Sequence, residues 1–260
     1  MSMIKTPKEI EVLREGGALL SRTLAEIRKA CVAGVTTEEL DAIAIKRFAE
    51  AGGEPSFLGY KIDKDGSAFP GALCVSINDE VVHGLPIPAR VIKEGDIVGL
   101  DIGVWYKGLC TDMATTVIVG KTDEKTRKLV EDTRESLVRA LQEVRAGKFV
   151  HDISNAIDDY LTPKGYGIVK DLVGHGVGHA VHEEPQIPHY RERRAPRVKL
   201  ETGMVLAIEP MVTLGDWGVY MKDDEWTIAT EDGSTAAHFE LTIAVTDDGY
   251  ELITPWPDQD

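Results

Sequence analysis

The sequence predicts an α+β protein, a curved antiparallel sheet covered on its outer face by helices. Three observations predict it. Helical and strand-like periodicities alternate in the order helix, helix, strands, and this order occurs twice. The two passes carry matching motifs in the same sequence. "EGDIVGLDIGV" (94–104) aligns with "ETGMVLAIEPMV" (201–212), and "TDMATTVIV" with "FELTIAVT". "VHGLPIP" aligns with "VHEEPQIP", and "VAGVTTEELDAI" resembles "RAGKFVHDISNAI". Finally, the period is far too long for a solenoid, so the repeat reads as a duplicated unit with a pseudo-two-fold relation. The expectation is one domain over 1–260, with halves at roughly 7–120 and 121–254.

The elements follow in order. Residues 7–30 place Ile10, Leu13, Ala18, Leu20, Leu24 and Ile27 at helical spacing, opened by Thr6-Pro7 in cap-then-first-turn order. "TTEELDAIAIKRFAEAGG" is a second helix, capped by Thr36 or Thr37 and stopped at Gly52-Gly53. "ALCVSIN" and "EVVHGLP" read as strands, and "DIVGLDIGVWYKGLCTDMATTVIVG" as a hairpin bent at Gly108. "DEKTRKLVEDTRESLVRALQEV" and "VHDISNAIDDYLTP" are helices. "MVLAIEPMV", "EWTIATED" and "HFELTIAVTDDGYELIT" return to strands.

Composition limits the partners. A net charge of −15 leaves little for phosphate binding, so no nucleic-acid partner is expected. The basic run "HYRERRAPRVK", with Arg191, Arg193, Arg194, Arg197 and Lys199, reads as a solvated loop. Three scattered cysteines (31, 74 and 110) fit a reducing compartment rather than a disulfide framework. The charged start lacks an apolar signal core, and no apolar run approaches a membrane span of roughly 20 residues. The expected location is the cytoplasm, with no membrane partner.

The repeat places acids at equivalent points: Asp101 opposite Glu209, and Asp112 opposite Glu240. They fall within apolar strand-like stretches, Asp112 least clearly. A buried carboxylate needs a cation or a raised pKa, and four converging ones would repel. Each acid taken singly also fits an outward position on a sheet face. Four at matched positions point instead to one or two divalent ions, with Mn, Fe(II), Co or Zn suited to carboxylate and imidazole donors. "GHGVGHAVHEEPQIP" (174–188) adds His175 as a fifth ligand, its flanking glycines allowing close approach. Five such ligands can hold a pair of ions roughly 3.5 Å apart, which activates water for peptide or ester hydrolysis. His83 and His182 are matched across the repeat and suit contact with a scissile amide or its oxyanion. His179 has no repeat partner and reads as structural. Trp105, Trp217 and Trp226 read as core or pocket wall. Phosphate-loop, dinucleotide and G-x-S-x-G patterns are absent.

"SINDEVVHGLP", "GLDIGVWYKGLCTDMATTV", "GHGVGHAVHEEPQIP", "MVLAIEP" and "HFELTIAV" resemble the type I methionine aminopeptidases of the pita-bread metallopeptidases, over residues 4–254. The resemblance implies two divalent metal ions on Asp101, Asp112, His175, Glu209 and Glu240, with His83 and His182 as substrate histidines. It implies Tyr60 and Trp226 as further substrate contacts. The activity implied is removal of the initiator methionine from nascent polypeptides with a small penultimate residue. Glu209 would act as general base and then acid, His182 would steady the carbonyl and His83 would contact the amide. Nascent chain N-termini are the implied partner, the ribosome a further candidate, and the monomer the implied state. Prolidases and X-Pro aminopeptidases share the fold, but no amino-terminal domain precedes the catalytic unit in this sequence. A non-catalytic binding protein would be expected to have lost ligands. Phe57, Val181 and His179 depart from the family pattern and are expected at the methionine pocket or its rim.

Overall fold

The computed structural model describes residues 2–62, 64–192 and 197–258. Four helices form where the apolar spacing predicts them: α1 (Pro7–Ala30), α2 (Thr37–Ala51), α3 (Glu124–Gln142) and α4 (Val150–Leu161). Thr6 and Glu9 close a capping box on α1, as Thr36 and Glu39 do on α2. Each box satisfies amide donors that a helix start leaves free. Leu20, Leu24 and Ile27 of α1 and Leu40, Ala44 and Phe48 of α2 are fully buried against the sheet, in the same core as Leu129 and Leu137 of α3.

Among the described residues the main sheet has nine strands, and all its pairings are antiparallel. Its centre is the pairing of Leu109–Ile118 with Glu240–Val245. On one side lies Ile97–Tyr106, flanked by Leu73–Ile77; on the other lies Val205–Ile208, flanked by Gly174–Gly176. The hairpin from Ile97 to Ile118 turns through Lys107 (φ 49°) and Gly108 (φ 82°). Two successive positive φ angles match a two-residue turn to the twist of its strands, which is why glycine stands there.

Two local expectations change. "MVLAIEPMV" is not one strand: Val205–Ile208 ends before Glu209-Pro210 and Met211–Thr213 joins a different sheet. Pro210 has no N–H for a ladder, so the chain leaves the main sheet at Glu209. The glycine-rich GHG segment, which its glycine content suggests as a loop, is itself a strand, paired on both sides. In the basic run, Arg193 and Arg194 lie outside the described residues. Arg191 pairs with Asp159 at 2.5 Å, and the Arg197 guanidinium stacks over Phe149.

Candidate metal centre

Register brings the acids together. Asp101 and Glu240 both pair with Ala114, from the strands on either side of it. Directly paired residues share a sheet face, as do residues two apart on one strand. Asp112 is two residues from Ala114, so all three carboxylates project from one face. The rule continues outward. Thr242, two residues beyond Glu240, pairs with Ala207, and Ala207 pairs with His175. Glu209 lies two residues past Ala207. Five side chains from five segments are thereby aimed at one cavity of about 500 Å³, whose lining includes all of them.

The donor atoms are close and unsatisfied. Asp112, His175 and Glu240 each offer a ligand atom within 4.8 Å of the others. His175 Nε2 stands 3.3 Å from Glu209 Oε1. Asp101 Oδ1, Asp112 Oδ1 and Glu240 Oε1 are buried with no hydrogen-bond partner. His175 Nδ1 donates to the Gly176 carbonyl at 2.9 Å, which leaves the Nε2 lone pair facing the carboxylates. Gly103, paired with Asp112, is required by close approach. A Cβ there would stand 2.1 Å from Ser56 Oγ and 3.3 Å from Asp112 Oδ1.

Electrostatics point the same way. Burial pushes Asp101 up to about 7, with Glu209 raising it further and His238 opposing. Asp112, Glu209 and Glu240 are driven well above the carboxylate range by burial, Asp112 and Glu240 also by neighbouring carboxylates. Burial lowers His175 to about 3 and His83 to about 4, keeping both neutral. Partnerless carboxylate oxygens facing a neutral imidazole are the donor set of a divalent cation, and the residues fit one.

The other predicted residues also reach the cavity. His83 and His182 line it, the His182 ring 4.5 Å from that of His175. Tyr60 Oη lies 3.0 Å from His182 Nδ1. His83 has φ 58°, an uncommon conformation for a residue with a side chain, and such residues cluster at working sites. Phe57, Tyr60, Phe69 and Trp226 form an apolar wall, with Phe69 and Trp226 edge to face at 5.2 Å.

Three expectations are corrected. Val181 packs with Leu13, Cys110 and Val177 in a separate core cluster and is not among the cavity's lining residues. His179 is not at the pocket rim and is structural, in keeping with its lack of a repeat partner: it turns away to Glu9 of α1, its Nε2 2.7 Å from the carboxylate, which holds Glu9 at about 2. Of the predicted departures, only Phe57 lines the cavity. Trp217 is exposed beneath the Lys170 ammonium, neither core nor wall. The sequence reading also missed residues. Phe69, Asp171 and Leu172 line the cavity, and two buried histidines, His189 and His238, flank Glu209. "HFE" carried a signal for His238, since His238 and Glu240 are two residues apart. Nothing local marks His189.

Comparison with known proteins agrees with this geometry. The model of metallopeptidase family M24 matches residues 11–247. Methionine aminopeptidase 1 of Bacillus subtilis (strain 168) is 44% identical over 255 residues, spanning 98% of this chain and 99% of the relative. The methionine aminopeptidase of Clostridium acetobutylicum is 42% identical over 255 residues, with the same coverage. The crystal structure of a methionine aminopeptidase from Thermotoga maritima superposes with a TM-score of 0.91 at 45% identity, covering 96% of this chain and 98% of that one. An Xaa-Pro dipeptidase from Bacillus anthracis reaches 0.78 at 26% identity, and this chain spans 63% of it. The fold is the α+β pita-bread fold, and the chain belongs to metallopeptidase family M24, among its methionine aminopeptidases.

Proposed function

We infer that the protein acts as its relatives are named: it is a methionyl aminopeptidase that removes the initiator methionine from polypeptide N-termini. The observation that carries this is the cavity itself. Five metal-ligating side chains, three of them with partnerless carboxylate oxygens, meet two further imidazoles and an apolar aromatic wall there, in a chain 44% identical to a methionine aminopeptidase over nearly its whole length.

Asp101, Asp112, His175, Glu209 and Glu240 would hold two divalent ions, drawn from Mn, Co, Fe(II) and Zn. When bound, the ions supply a water made acidic enough to attack at neutral pH and a polarised carbonyl. The chain's own groups do the rest. Glu209 takes the proton of the attacking water and returns it to the leaving amine, as base and then acid. His182, steadied by Tyr60, donates to the carbonyl oxygen as negative charge grows on it. His83 contacts the scissile amide. The wall of Phe57, Tyr60, Phe69 and Trp226 takes the unbranched methionine side chain, whose thioether suits aromatic edges. The next residue of the substrate lies close to the two histidines, which favours a small one.

The two halves, 7–120 and 121–254, are read as one duplicated domain whose cavity lies between them. No helix among the described residues is long and apolar enough to cross a membrane. A monomer in the cytoplasm, meeting nascent chains at or near the ribosome, fits this reading.

The test is release of methionine from Met-Ala-Ser by purified protein supplied with Mn, Co or Fe(II), stopped by chelation. Turnover of Ala-Pro peptides in its place would move the assignment to the X-Pro branch. Inactivity with every metal on both peptides would leave a binding protein.

A further inference from the structure

Glu209 is held between two buried imidazoles that the reaction scheme does not use. Its backbone N–H donates to His189 Nε2 at 3.3 Å. Its carboxylate is shared: Oε1 faces His175 at 3.3 Å, and Oε2 faces His238 Nε2 at 3.6 Å. His238 is 2% exposed, and its Nε2 has no hydrogen-bond partner. The residue is fixed by its backbone, which exchanges hydrogen bonds with Thr116 Oγ1 in both directions. The ring is buried away from solvent, with the outer oxygen of Glu209 3.6 Å from its Nε2. With Glu209 ionised, as it would be when holding an ion, a ring protonated on Nε2 donates to Oε2, whereas a ring protonated on Nδ1 sets two lone pairs against each other.

We propose that His238 is a positioning residue: it donates Nε2–H to the outer oxygen of Glu209 and so holds the inner oxygen toward His175 and the ion site. The inference rests on Glu209 being an ion ligand and proton carrier, as proposed above. A carboxylate that must both hold a cation and pass a proton needs a fixed orientation, and outer-shell donors of this kind supply one. His189 performs the matching task for the backbone, where Pro210 has removed the ladder that would otherwise hold residue 209.

The experiment compares wild type, H238Q and H238L. Glutamine keeps an N–H donor of similar reach, and leucine keeps bulk without one. Mn²⁺ binding to chelator-stripped protein is measured by titration calorimetry, and kcat and KM on Met-Ala-Ser under saturating Mn²⁺. H238L is expected to lose Mn²⁺ affinity by about 10- to 100-fold, with a fall in kcat of similar size and KM within about threefold. H238Q is expected to recover most of both. Should H238L fail to fold, H238M, a flexible side chain without a donor, replaces it. Equal impairment of the glutamine and leucine variants would show that shape, not donation, matters, and would overturn the proposal. So would unchanged affinity and kcat in H238L. The calorimetry stands without any peptide, so failure to cleave Met-Ala-Ser would count against the proposed function while leaving this inference to be judged on metal binding.

Discussion

His175 Nε2 and Glu209 Oε1 stand 3.3 Å apart inside the cavity, and both are electron-pair donors. His175 cannot relieve the contact with its own proton, which its Nδ1 holds for the Gly176 carbonyl. Two donors turned on one another in a buried site are stable when a proton or a metal ion lies between them, and the raised pKa of Glu209 is the ion-free form of that requirement.

Metal removal should destabilise as well as inactivate. An ion present at about 100 times its Kd contributes about 2.7 kcal/mol. In a chain of this size that corresponds to a rise in Tm of roughly 5–10 °C. Differential scanning calorimetry with and without chelator measures it. A Tm indifferent to chelation would mean that the acids hold no ion.

The stripped protein should show the cost of Asp101 in its pH dependence. The Asp101 carboxyl is at about 7 in the fold against an ordinary 3.8, so the folded state binds its proton more tightly. Its contribution is fully present below about pH 4 and is lost as pH rises through 7. Asn at this position stays neutral throughout. Stripped Asp101→Asn should exceed stripped wild type by on the order of 2–4 kcal/mol at pH 8, at about 1.4 kcal/mol per pKa unit. The gap should close near pH 4. The buried histidines titrate in the opposite sense but are common to both proteins. Urea denaturation at the two pH values decides, and a gap that widens toward acid would contradict the sign.

His182→Ala should lower kcat by about 100-fold with little change in KM, as expected for a donor used mainly in the transition state. Tyr60→Phe removes one hydrogen bond to that ring. It should reduce kcat by about fivefold, the equivalent of about 1 kcal/mol. Steady-state kinetics on Met-Ala-Ser would show it, and a change confined to KM would assign both residues to ground-state binding instead.

Gly103→Ala should weaken metal binding without touching a ligand. The added methyl would overlap Ser56 Oγ at 2.1 Å and press on Asp112 Oδ1. Overpacking of this kind costs about 1–3 kcal/mol, part of it as displacement of the carboxylate. Calorimetric Mn²⁺ affinity should fall about tenfold or more. Unchanged affinity would show that Ser56 alone moves aside.

Much of this site was legible in the chain. The repeat singled out Asp101, Asp112, Glu209 and Glu240 because duplication leaves equivalent positions with equivalent chemistry, and the glycines around His175 marked a backbone meant to be approached. Helix boundaries were legible too, since Thr6, Thr36 and Gly52 act within a turn of themselves. His189 was not: a histidine that receives one amide from twenty residues away has no local signature. His179 and Val181 were misplaced for a related reason. Their side chains are claimed by α1, through Glu9 and Leu13, and spacing from His182 cannot reveal that.

The sequence by itself determined the donor types available to the cavity and the parity of the site, that is, which alternate positions along each strand share a face. That follows because alternation is a property of one extended backbone. Only the tertiary structure decided that Ala114 is the common partner of Asp101 and Glu240, that Glu209 lies just past a strand end, and that His238 stands behind it. Register between strands more than a hundred residues apart is set by the packing of the whole core, so no local pattern encodes it.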